Sequence, residues 1–435
     1  RYFNKHFKIH FKCSPSQYRK KLKVDSETLE SHKKIKYMDL SKSLEFISYY
    51  LEGYDRFNYE DKITKINLDM SQDIGEFDKS FKEVINIGDA FDLLIEDNKD
   101  ILEMLQDEIG FKYARILNVF SQDMGIFPES RFCNWNRARD VFEFLDTISI
   151  GVIIVINNKG FKEDEFKIIL KSFLKYFSEL ESVDFKSFKF EFASSMDQTY
   201  VNEIADILAN EYELEVCMDR VSYDDSVNFI YDTAYMLPFT INSIINKSDS
   251  YNVLRAFDVL DKQVNLTNEV FFGYPGLIND KGIKKPSYYA YFLINKLGDT
   301  LVEKGDGYIV TKDCSEYQIL LYSYHEDIDN LNLFENFSKF RGSKSLTEKK
   351  FSLNIVSISS AVRVTTYEIN EKVGSSYNYW VDMGKPKRLN KEEKEILHKA
   401  SFPRIHFKSI KKSTVLNIRT KIQGYGAVLI IIKEV

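Results

Sequence analysis

The chain has 435 residues, of which 44% are hydrophobic and 14% are aromatic. This composition excludes a disordered protein and predicts two or three globular domains. No apolar run approaches the roughly 20 residues of a membrane span and no signal peptide is recognisable, so we expect no membrane partner. The four cysteines, Cys13, Cys133, Cys217 and Cys314, are far apart and form no CxxC pair. We therefore expect a cytoplasmic protein without disulfides, metal ions or cofactors.

The charge is distributed unevenly along the chain. Residues 1–37 contain eleven Lys and Arg against three acidic residues, a net charge of +8, whereas the whole chain carries −6 and the remainder therefore −14. A basic segment on an acidic body predicts contact with DNA at one end only. A solvated helical face is the alternative that charge alone leaves open.

The first 22 residues have a helical period, with apolar side chains at Phe3, Phe7 and Phe11. Ser14 and Pro15 then predict the start of a second helix, because Ser is a good N-cap and Pro suits the first helical position. The stretch YFNKHFKIHFKCSPSQYRKKL resembles the closing part of the AraC/XylS signature, in which a recognition helix runs into a Ser/Thr-Pro and Tyr-Arg segment. The resemblance implies DNA as a partner, with most of the helix-turn-helix domain absent. The implied DNA-contact candidates are Arg1, Asn4, Lys5, Lys8, Arg19 and Lys20.

After short β-like stretches in residues 38–70, the pattern alternates between strands and helices. Strands are predicted at 84–88, 113–120, 151–156, 188–194, 214–221 and 251–257, and helices at 89–109, 136–147, 163–181, 200–212, 231–245 and 287–297. Such alternation indicates a parallel sheet, open or closed into a barrel. Beyond Gly298, strands near 308–311, 317–323, 351–358, 362–369, 413–420 and 426–433 predict an antiparallel β-sandwich, which the early strands could complete.

Several motifs in this region resemble the β-xylosidase-type glycoside hydrolases of clan A, family thirty-nine, which also holds α-iduronidase. They are Asn86-Ile87-Gly88-Asp89-Ala90, Gly110-Phe111-Lys112-Tyr113-Ala114-Arg115, Tyr231-Asp232-Thr233-Ala234-Tyr235, Phe272-Gly273-Tyr274-Pro275-Gly276-Leu277, Lys285-Pro286-Ser287-Tyr288-Tyr289-Ala290 and Gly374-Ser375-Ser376-Tyr377-Asn378-Tyr379-Trp380. The resemblance implies a TIM-like (β/α) barrel followed by a β-sandwich.

The resemblance also implies where two catalytic carboxyl groups would stand. A retaining glycosidase needs an acid and a nucleophile roughly 5–5.5 Å apart. The family's acid ends the fourth strand, and the matching stretch here places Ser195 at that position and Ser194 at a sugar-binding Asn. A hydroxyl cannot serve as the general acid. The nucleophile position falls on Asp219, whose side chain is one methylene shorter than Glu. We therefore expect no catalytic residues.

Two carboxylates leave alternatives open. Glu191 lies four residues before Ser195, roughly 13 Å back along a strand, and is expected to be a buried or paired glutamate. Asp219 either contacts a ligand or forms a structural ion pair with Arg220.

The fold class is therefore predicted as α/β plus all-β, with a degenerate barrel. Only 24 residues separate Ser195 from Asp219, whereas three barrel units of roughly 30 residues each would be needed between the fourth and seventh strands. About two β/α units are then missing, unless Asp219 belongs to the fifth strand. The predicted divisions are 1–37 (DNA-binding remnant and linker), 38–75 (strands joining the sandwich), 76–303 (barrel) and 304–435 (sandwich).

Three functional hypotheses follow. The first is an AraC-type regulator whose barrel binds a xylan-type sugar or oligosaccharide without cleaving it, which changes the orientation or dimerisation of the DNA-binding domain. The second is an active glycosidase that uses Asp219 with Asp197 as the acid, and the third is a scaffold for a homodimer or another protein contact. The candidate ligand-binding residues at strand ends are Asn118, Gln122, Asp123, Asn157, Asn158, Ser194, Ser195, Asp219, Arg255 and Asp258.

Overall fold

The computed structural model describes residues 63–127, 132–217, 227–246, 254–259, 270–314, 316–324, 348–358 and 360–435, together with Asn4, Phe7, Lys8, Lys12, Ser14, Pro15 and Ser16. Contacts divide the chain into two units, Arg1–Glu60 and Asp61–Val435. In the described part of the chain, no helix combines the length and the apolar character that a membrane crossing requires.

The described residues of the first unit agree with the predicted helices. Asn4, Phe7 and Lys8 are helical, and so are Pro15 and Ser16, whereas Ser14 just before them is not. Among the DNA-contact candidates, Asn4 and Lys8 are exposed. The remaining candidates, Arg1, Lys5, Arg19 and Lys20, lie outside the described residues.

The second unit contains the following strands and helices. The strands are β1 (Ile63–Asp69), β2 (Gly75–Glu76), β3 (Val84–Asp89), β4 (Tyr113–Leu117), β5 (Ile126–Phe127), β6 (Phe132–Cys133), β7 (Gly151–Ile156), β8 (Lys189–Phe192), β9 (Glu215–Cys217), β10 (Arg255–Phe257), β11 (Gly276–Ile278), β12 (Thr300–Gly305), β13 (Tyr308–Asp313), β14 (Glu316–Tyr322), β15 (Glu348–Val356), β16 (Val362–Asn370), β17 (Arg404–Ile410), β18 (Leu416–Gln423) and β19 (Gly426–Glu434). The α-helices are α1 (Glu96–Glu108), α2 (Asn136–Thr147), α3 (Glu163–Ser178), α4 (Gln198–Asp206), α5 (Met236–Asn246), α6 (Pro286–Asn295), α7 (Ser376–Asp382) and α8 (Lys391–Ala400).

A parallel sheet with the order β11-β10-β3-β4-β7-β8-β9 organises the first half of this unit. Its strands from β3 to β9 follow the chain order, and β10 then returns to pair with the first of them, β3. In a (β/α) barrel a late strand likewise pairs with the first strand. No hydrogen bonds join the edge strands β9 and β11 among the described residues, so the parallel α/β sheet is confirmed while its closure is not observed.

The helices pack on one face of this sheet through their apolar stripes. In α3, the buried residues Phe166, Leu170, Phe173 and Phe177 recur at helical spacing. The ring of Phe173 lies 5.2 Å from that of Phe120 and 5.3 Å from that of Trp135, measured between centroids, with edge-to-face geometry. Outward-pointing strand residues such as Ile116 complete this core.

The predicted β-sandwich is confirmed. A seven-stranded sheet, β17-β16-β19-β14-β13-β12-β2, faces a three-stranded sheet, β1-β15-β18. The core between them includes Leu68, Val310, Leu353 and Ile430. The early strand β1 completes the smaller sheet by pairing in parallel with β15. Strand β12 belongs to the larger sheet although it begins before the predicted division at residue 304.

The packing of α3 generates a stability prediction. We expect Phe173→Ala to lower the free energy of unfolding by about 3–5 kcal/mol, because the truncation leaves a cavity among several rings. Ile168→Ala on the exposed side of the same helix is the matched control and should change it by less than about 0.5 kcal/mol. Urea denaturation of both variants measures the difference, and equal losses would contradict the proposed packing.

Candidate functional site

Polar side chains follow several strands of the parallel sheet at its carboxyl edge. Asn118 comes directly after β4, Asn157 and Asn158 follow β7, and Ser194 and Ser195 follow β8. Ligands of parallel α/β sheets bind at this edge, because the loops that leave the strands converge there. The sheet therefore brings together predicted candidates that are distant in sequence.

A cleft of about 350 Å³ opens between the loops that follow β4 and β7. Asn118 has a positive φ of 54°, and its Nδ2 donates a hydrogen bond to Oδ1 of Asp89 over 2.6 Å. The Oδ1 of Asn157 accepts a hydrogen bond from the backbone N–H of Lys159 over 2.9 Å. Amide groups that donate and accept, next to aromatic rings, suit a polyhydroxylated ligand. The cleft is lined by Asn118, Phe120, Ser121, Gln122, Val155, Asn157, Lys159, Gly160 and Phe161.

Two further candidates lie in the same loops but do not line the cleft. Asp123 is exposed, and its backbone carbonyl accepts a hydrogen bond from the guanidinium of Arg137. The backbone carbonyl of Asn158 accepts a hydrogen bond from the N–H of Phe161 over 3.0 Å. Both residues thus help to shape the loops through their backbone.

Ser194 and Ser195 occupy an exposed turn beyond β8. The N–H of Met196 donates to the carbonyl of Ala193 over 3.1 Å, which closes the turn around the two serines. The next residue, Asp197, is the N-cap of α4, where its Oδ1 accepts hydrogen bonds from the N–H groups of Thr199 and Tyr200. The end of β8 thus presents two hydroxyl groups, and the carboxylate beside them holds the start of a helix.

A buried ion pair joins strands β4 and β8 of the parallel sheet. Nε and Nη2 of Arg115 on β4 lie 2.7 and 2.8 Å from the two carboxylate oxygens of Glu191 on β8. Both side chains are almost fully buried. This bidentate geometry confirms that Glu191 is a paired glutamate inside the sheet.

Arg255 on β10 lies inside the sheet, against the backbone of Gly88 on β3. A Cβ at Gly88 would stand 2.1 Å from Nη1 of Arg255, and the φ of Gly88 is +90°. The guanidinium also lies 5.2 Å from the ring centroid of Tyr274. Glycine at position 88 is therefore required both by the backbone conformation and by the room that Arg255 occupies.

Asp258, immediately after β10, belongs to a buried charge cluster. Nζ of Lys285 lies 2.6 Å from Oδ2 of Asp258 and 2.7 Å from Oδ1 of Asp232, and it donates to the carbonyl of Tyr274 over 2.8 Å. The second oxygen of Asp232 accepts a hydrogen bond from the N–H of Gly273 over 2.6 Å. All three charged side chains are fully buried, so Asp258 faces Lys285.

The cluster contains two carboxyl groups but one cation. Burial raises the pKa of Asp258 to about 8 and also raises the pKa of Asp232, while the charge of Lys285 opposes both shifts. Burial alone would lower the pKa of Lys285, but the two carboxyl groups raise it. Lys285 therefore stays charged at neutral pH, whereas burial favours the protonated form of Asp258.

The family model described as Glycosyl hydrolases family 39 matches residues 176–416 of the chain. The chain belongs to this family. It is 27% identical over 180 residues to a β-xylosidase of Geobacillus stearothermophilus, a match that covers 40% of the chain and 32% of the relative. It is also 25% identical over 167 residues to an uncharacterized HTH-type transcriptional regulator of Staphylococcus aureus (strain MRSA252), which covers 38% of the chain and 21% of the regulator. The matches thus span a minor part of each relative's length.

Solved structures share the fold of this family 39 chain. A monomeric β-xylosidase from Caulobacter crescentus CB15 superimposes with a TM-score of 0.71 at 15% identity, over 85% of this chain and 99% of the other. The GH39 enzyme from Xanthomonas axonopodis pv. citri gives 0.72 at 13% identity, over 86% and 98%. These likenesses support a glycosidase-like fold across the barrel-like sheet and the sandwich.

The structure adds residues to which the sequence analysis gave no role in this family 39 site. Asp232 and Lys285 lay within recognised motifs, but their pairing across more than fifty residues could not be read from spacing. Arg115 was likewise part of a motif without a named partner. Lys159 and Phe161, which line the cleft, carried no motif at all. Asp219 and Arg220 lie outside the described residues, so the alternatives for Asp219 remain predictions.

The Arg115–Glu191 pair generates a second prediction for this family 39 fold. We expect Glu191→Gln to lower the free energy of unfolding by about 3–5 kcal/mol, because the arginine is left buried without its carboxylate. Glu203→Gln, which removes one partner of the surface pair with Lys167, is the control and should leave stability nearly unchanged. Urea denaturation measures both, and a stable Glu191→Gln variant would show that the buried charge is dispensable.

The buried cluster generates a prediction of pH dependence. Because the pKa of Asp258 is raised to about 8 in the folded protein and is about 3.9 in an unfolded chain, the folded state keeps a proton that the unfolded state has lost. Stability should therefore fall as pH rises from about 4 to about 8, by up to roughly 1.4 kcal/mol per pH unit.

Asp258→Asn should flatten this dependence, since the remaining carboxyl group of Asp232 then balances Lys285 alone. Denaturation curves collected between about pH 5 and pH 8 measure the slope, with the exposed Asp100→Asn as the control. An unchanged slope in Asp258→Asn would place the titrating group elsewhere.

Proposed function

We propose that this chain is the sugar-sensing part of a bacterial AraC-type transcription regulator, and that its glycosidase-like domain binds a xylan-type sugar or oligosaccharide without cleaving it. One observation carries the proposal. The motif places the general acid of related hydrolases at the end of strand β8, and here that strand end presents the exposed hydroxyls of Ser194 and Ser195. The amide-lined cleft beside β4 and β7 supplies groups for binding.

Three carboxyl groups of the described residues near this edge are engaged in other ways. Glu191 pairs with Arg115 inside the sheet, Asp197 caps α4, and Asp258 faces Lys285. A retaining glycosidase needs one carboxyl group that donates a proton to the leaving oxygen and one that attacks the sugar. These engagements support binding over hydrolysis.

The architecture of the domain fits the proposal. In our interpretation the barrel is degenerate and has lost about two β/α units, because only 24 residues separate Ser195 from Asp219. Losing these units removes loops from the face that builds a catalytic site. The proposal includes the division of the chain into a DNA-binding remnant with its linker (1–37), strands that join the sandwich (38–75), the barrel (76–303) and the sandwich (304–435).

The regulatory role rests on two independent observations. Residues 1–37 carry a net charge of +8 and the AraC-like motif, and the chain is similar to HTH-type transcriptional regulators as well as to β-xylosidases. Sugar binding would then change the orientation or the dimerisation of a cytoplasmic DNA-binding domain.

Thermal melting against a panel of xylose, arabinose, xylo-oligosaccharides and uronic-acid sugars tests the proposal. A ligand at 100 times its Kd stabilises the folded state by about 2.7 kcal/mol, which raises the melting temperature by a measurable amount. We expect one class of sugar to raise it and to be recovered intact afterwards. Asn118→Ala and Gln122→Ala should weaken the response, whereas the exposed Gln198→Ala is the matched control.

Two outcomes would contradict the proposal. A response that decays as the sugar is consumed, together with hydrolysis of a nitrophenyl xyloside that Asp219→Ala abolishes, would indicate an active glycosidase. A flat panel would favour the third hypothesis, a scaffold that mediates dimerisation or another protein contact.

A further inference from the structure

One segment of the sandwich carries a concentration of positive charge. Residues 401–423, which contain β17, β18 and the loop between them, include six Lys and Arg and no Asp or Glu, in a chain whose net charge is −6. We call this surface the basic face. It consists of Arg404, His406, Lys408, Lys411, Lys412, Arg419 and Lys421, all of which are exposed.

These residues lie on two edge strands and on the loop of residues 411–415 that connects them. Strand β17 is an edge of the seven-stranded sheet, and β18 is an edge of the three-stranded sheet. His406 and Lys408 lie opposite Thr366 and Val364 of β16 and so point to the same side of the sheet. Six of the seven residues of β17 are exposed, because the three-stranded sheet is too narrow to cover this edge.

Most of the basic face has no internal counter-charge. Arg404 lies 3.4 Å from Glu368, and Lys421 lies 3.3 Å from Glu348. Among the described residues, no carboxylate lies within 4.0 Å of the remaining basic groups. These groups are His406, Lys408, Lys411, Lys412 and Arg419.

Edge protection explains only part of this charge. Lysines on an edge strand prevent pairing with other chains, which accounts for Lys408. It does not account for Lys411 and Lys412, which lie in the loop, or for Arg419, which lies opposite Ser352 on the outer side of the smaller sheet.

The intervening residues are those that accompany cations at phosphate-binding surfaces. Exposed hydroxyl and amide groups alternate with the cations at Ser409, Ser413, Thr414 and Asn417. Protein contacts to the DNA backbone come from Lys and Arg together with Ser, Thr and Asn, and they carry no sequence information. The surface therefore matches a row of phosphates better than it matches a carboxylate peptide.

We propose that the basic face binds the phosphate backbone of duplex DNA without sequence specificity, as a contact additional to that of the N-terminal segment. The choice of DNA among polyanions rests on the proposed regulatory function. Because the whole chain carries a net charge of −6, the positive charge of this face favours contact with DNA locally.

A quadruple variant, Lys408→Gln with Lys411→Gln, Lys412→Gln and Arg419→Gln, tests the proposal in the whole chain. The matched control, Lys175→Gln with Lys387→Gln, Lys391→Gln and Lys394→Gln, removes the same charge from exposed positions elsewhere. The Kd for a short duplex of mixed sequence is measured by fluorescence anisotropy over a range of salt concentrations. Each lost phosphate contact lowers the slope of log K against log salt by about 0.9, so we expect a loss of about 3.6 for the four cations of the variant and little change in the control.

Several results would overturn the inference. They are equal slopes in the variant and the wild type, equal losses in the variant and the control, or no DNA binding by the wild type at low salt. Loss of binding to phosphatidylserine vesicles with DNA binding retained would assign the face to a membrane surface instead. The sugar-induced shift in melting temperature, measured on the same variant, reports on the proposed sensor function separately, since none of the changed residues lines the cleft.

Discussion

The buried Lys285 between Asp232 and Asp258 is the interaction on which the second half of the parallel sheet depends. Asp258 follows β10, Lys285 precedes α6, and Asp232 precedes α5, so one ammonium group connects three segments that are distant in sequence. Its hydrogen bond to the carbonyl of Tyr274, and that of Asp232 to Gly273, extend the connection to the segment that leads into β11. Burial makes these contacts obligatory, because any charge left without its partner there would be strongly destabilising.

The same constraint explains the chemistry of the candidate site. Charges in the interior are matched within the fold, as Arg115 and Glu191 show, whereas amides and a hydroxyl supply most of the polar lining of the cleft, with Lys159 as the charged residue among those that line it. Neutral hydrogen-bonding groups hold a sugar reversibly, since they neither protonate the glycosidic oxygen nor attack the anomeric carbon. A sensor needs this property, because its ligand has to persist while the signal lasts.

Periodicity predicted most of the fold, and its failures have physical causes. The β/α alternation and the sandwich strands follow from apolar faces, and α2 begins and ends where its pattern predicts. Strand β17 escaped prediction because both of its faces are exposed and no apolar alternation marks it. Helix α8 buries Leu397 alone and therefore has a weak apolar stripe. Asn118 and Asn157 could be named as candidate site residues because they follow predicted strands. The Asp258–Lys285 contact, in contrast, depends on tertiary packing that no local pattern encodes.

The distribution of charge connects the two proposals. An acidic body would repel DNA and hold a regulator away from it, except where cations are left without internal partners. The fold provides such a place, because the smaller sheet of the sandwich leaves β17 uncovered and the loop to β18 contains no acidic residue. Under these proposals, a contact to phosphates from this side would tie the glycosidase-like domain to the same duplex as the proposed DNA-binding segment, residues 1–37. A change in the domain's orientation on binding sugar would then alter two contacts to DNA, which makes the affinity for DNA more sensitive to the sugar than a single flexible attachment would.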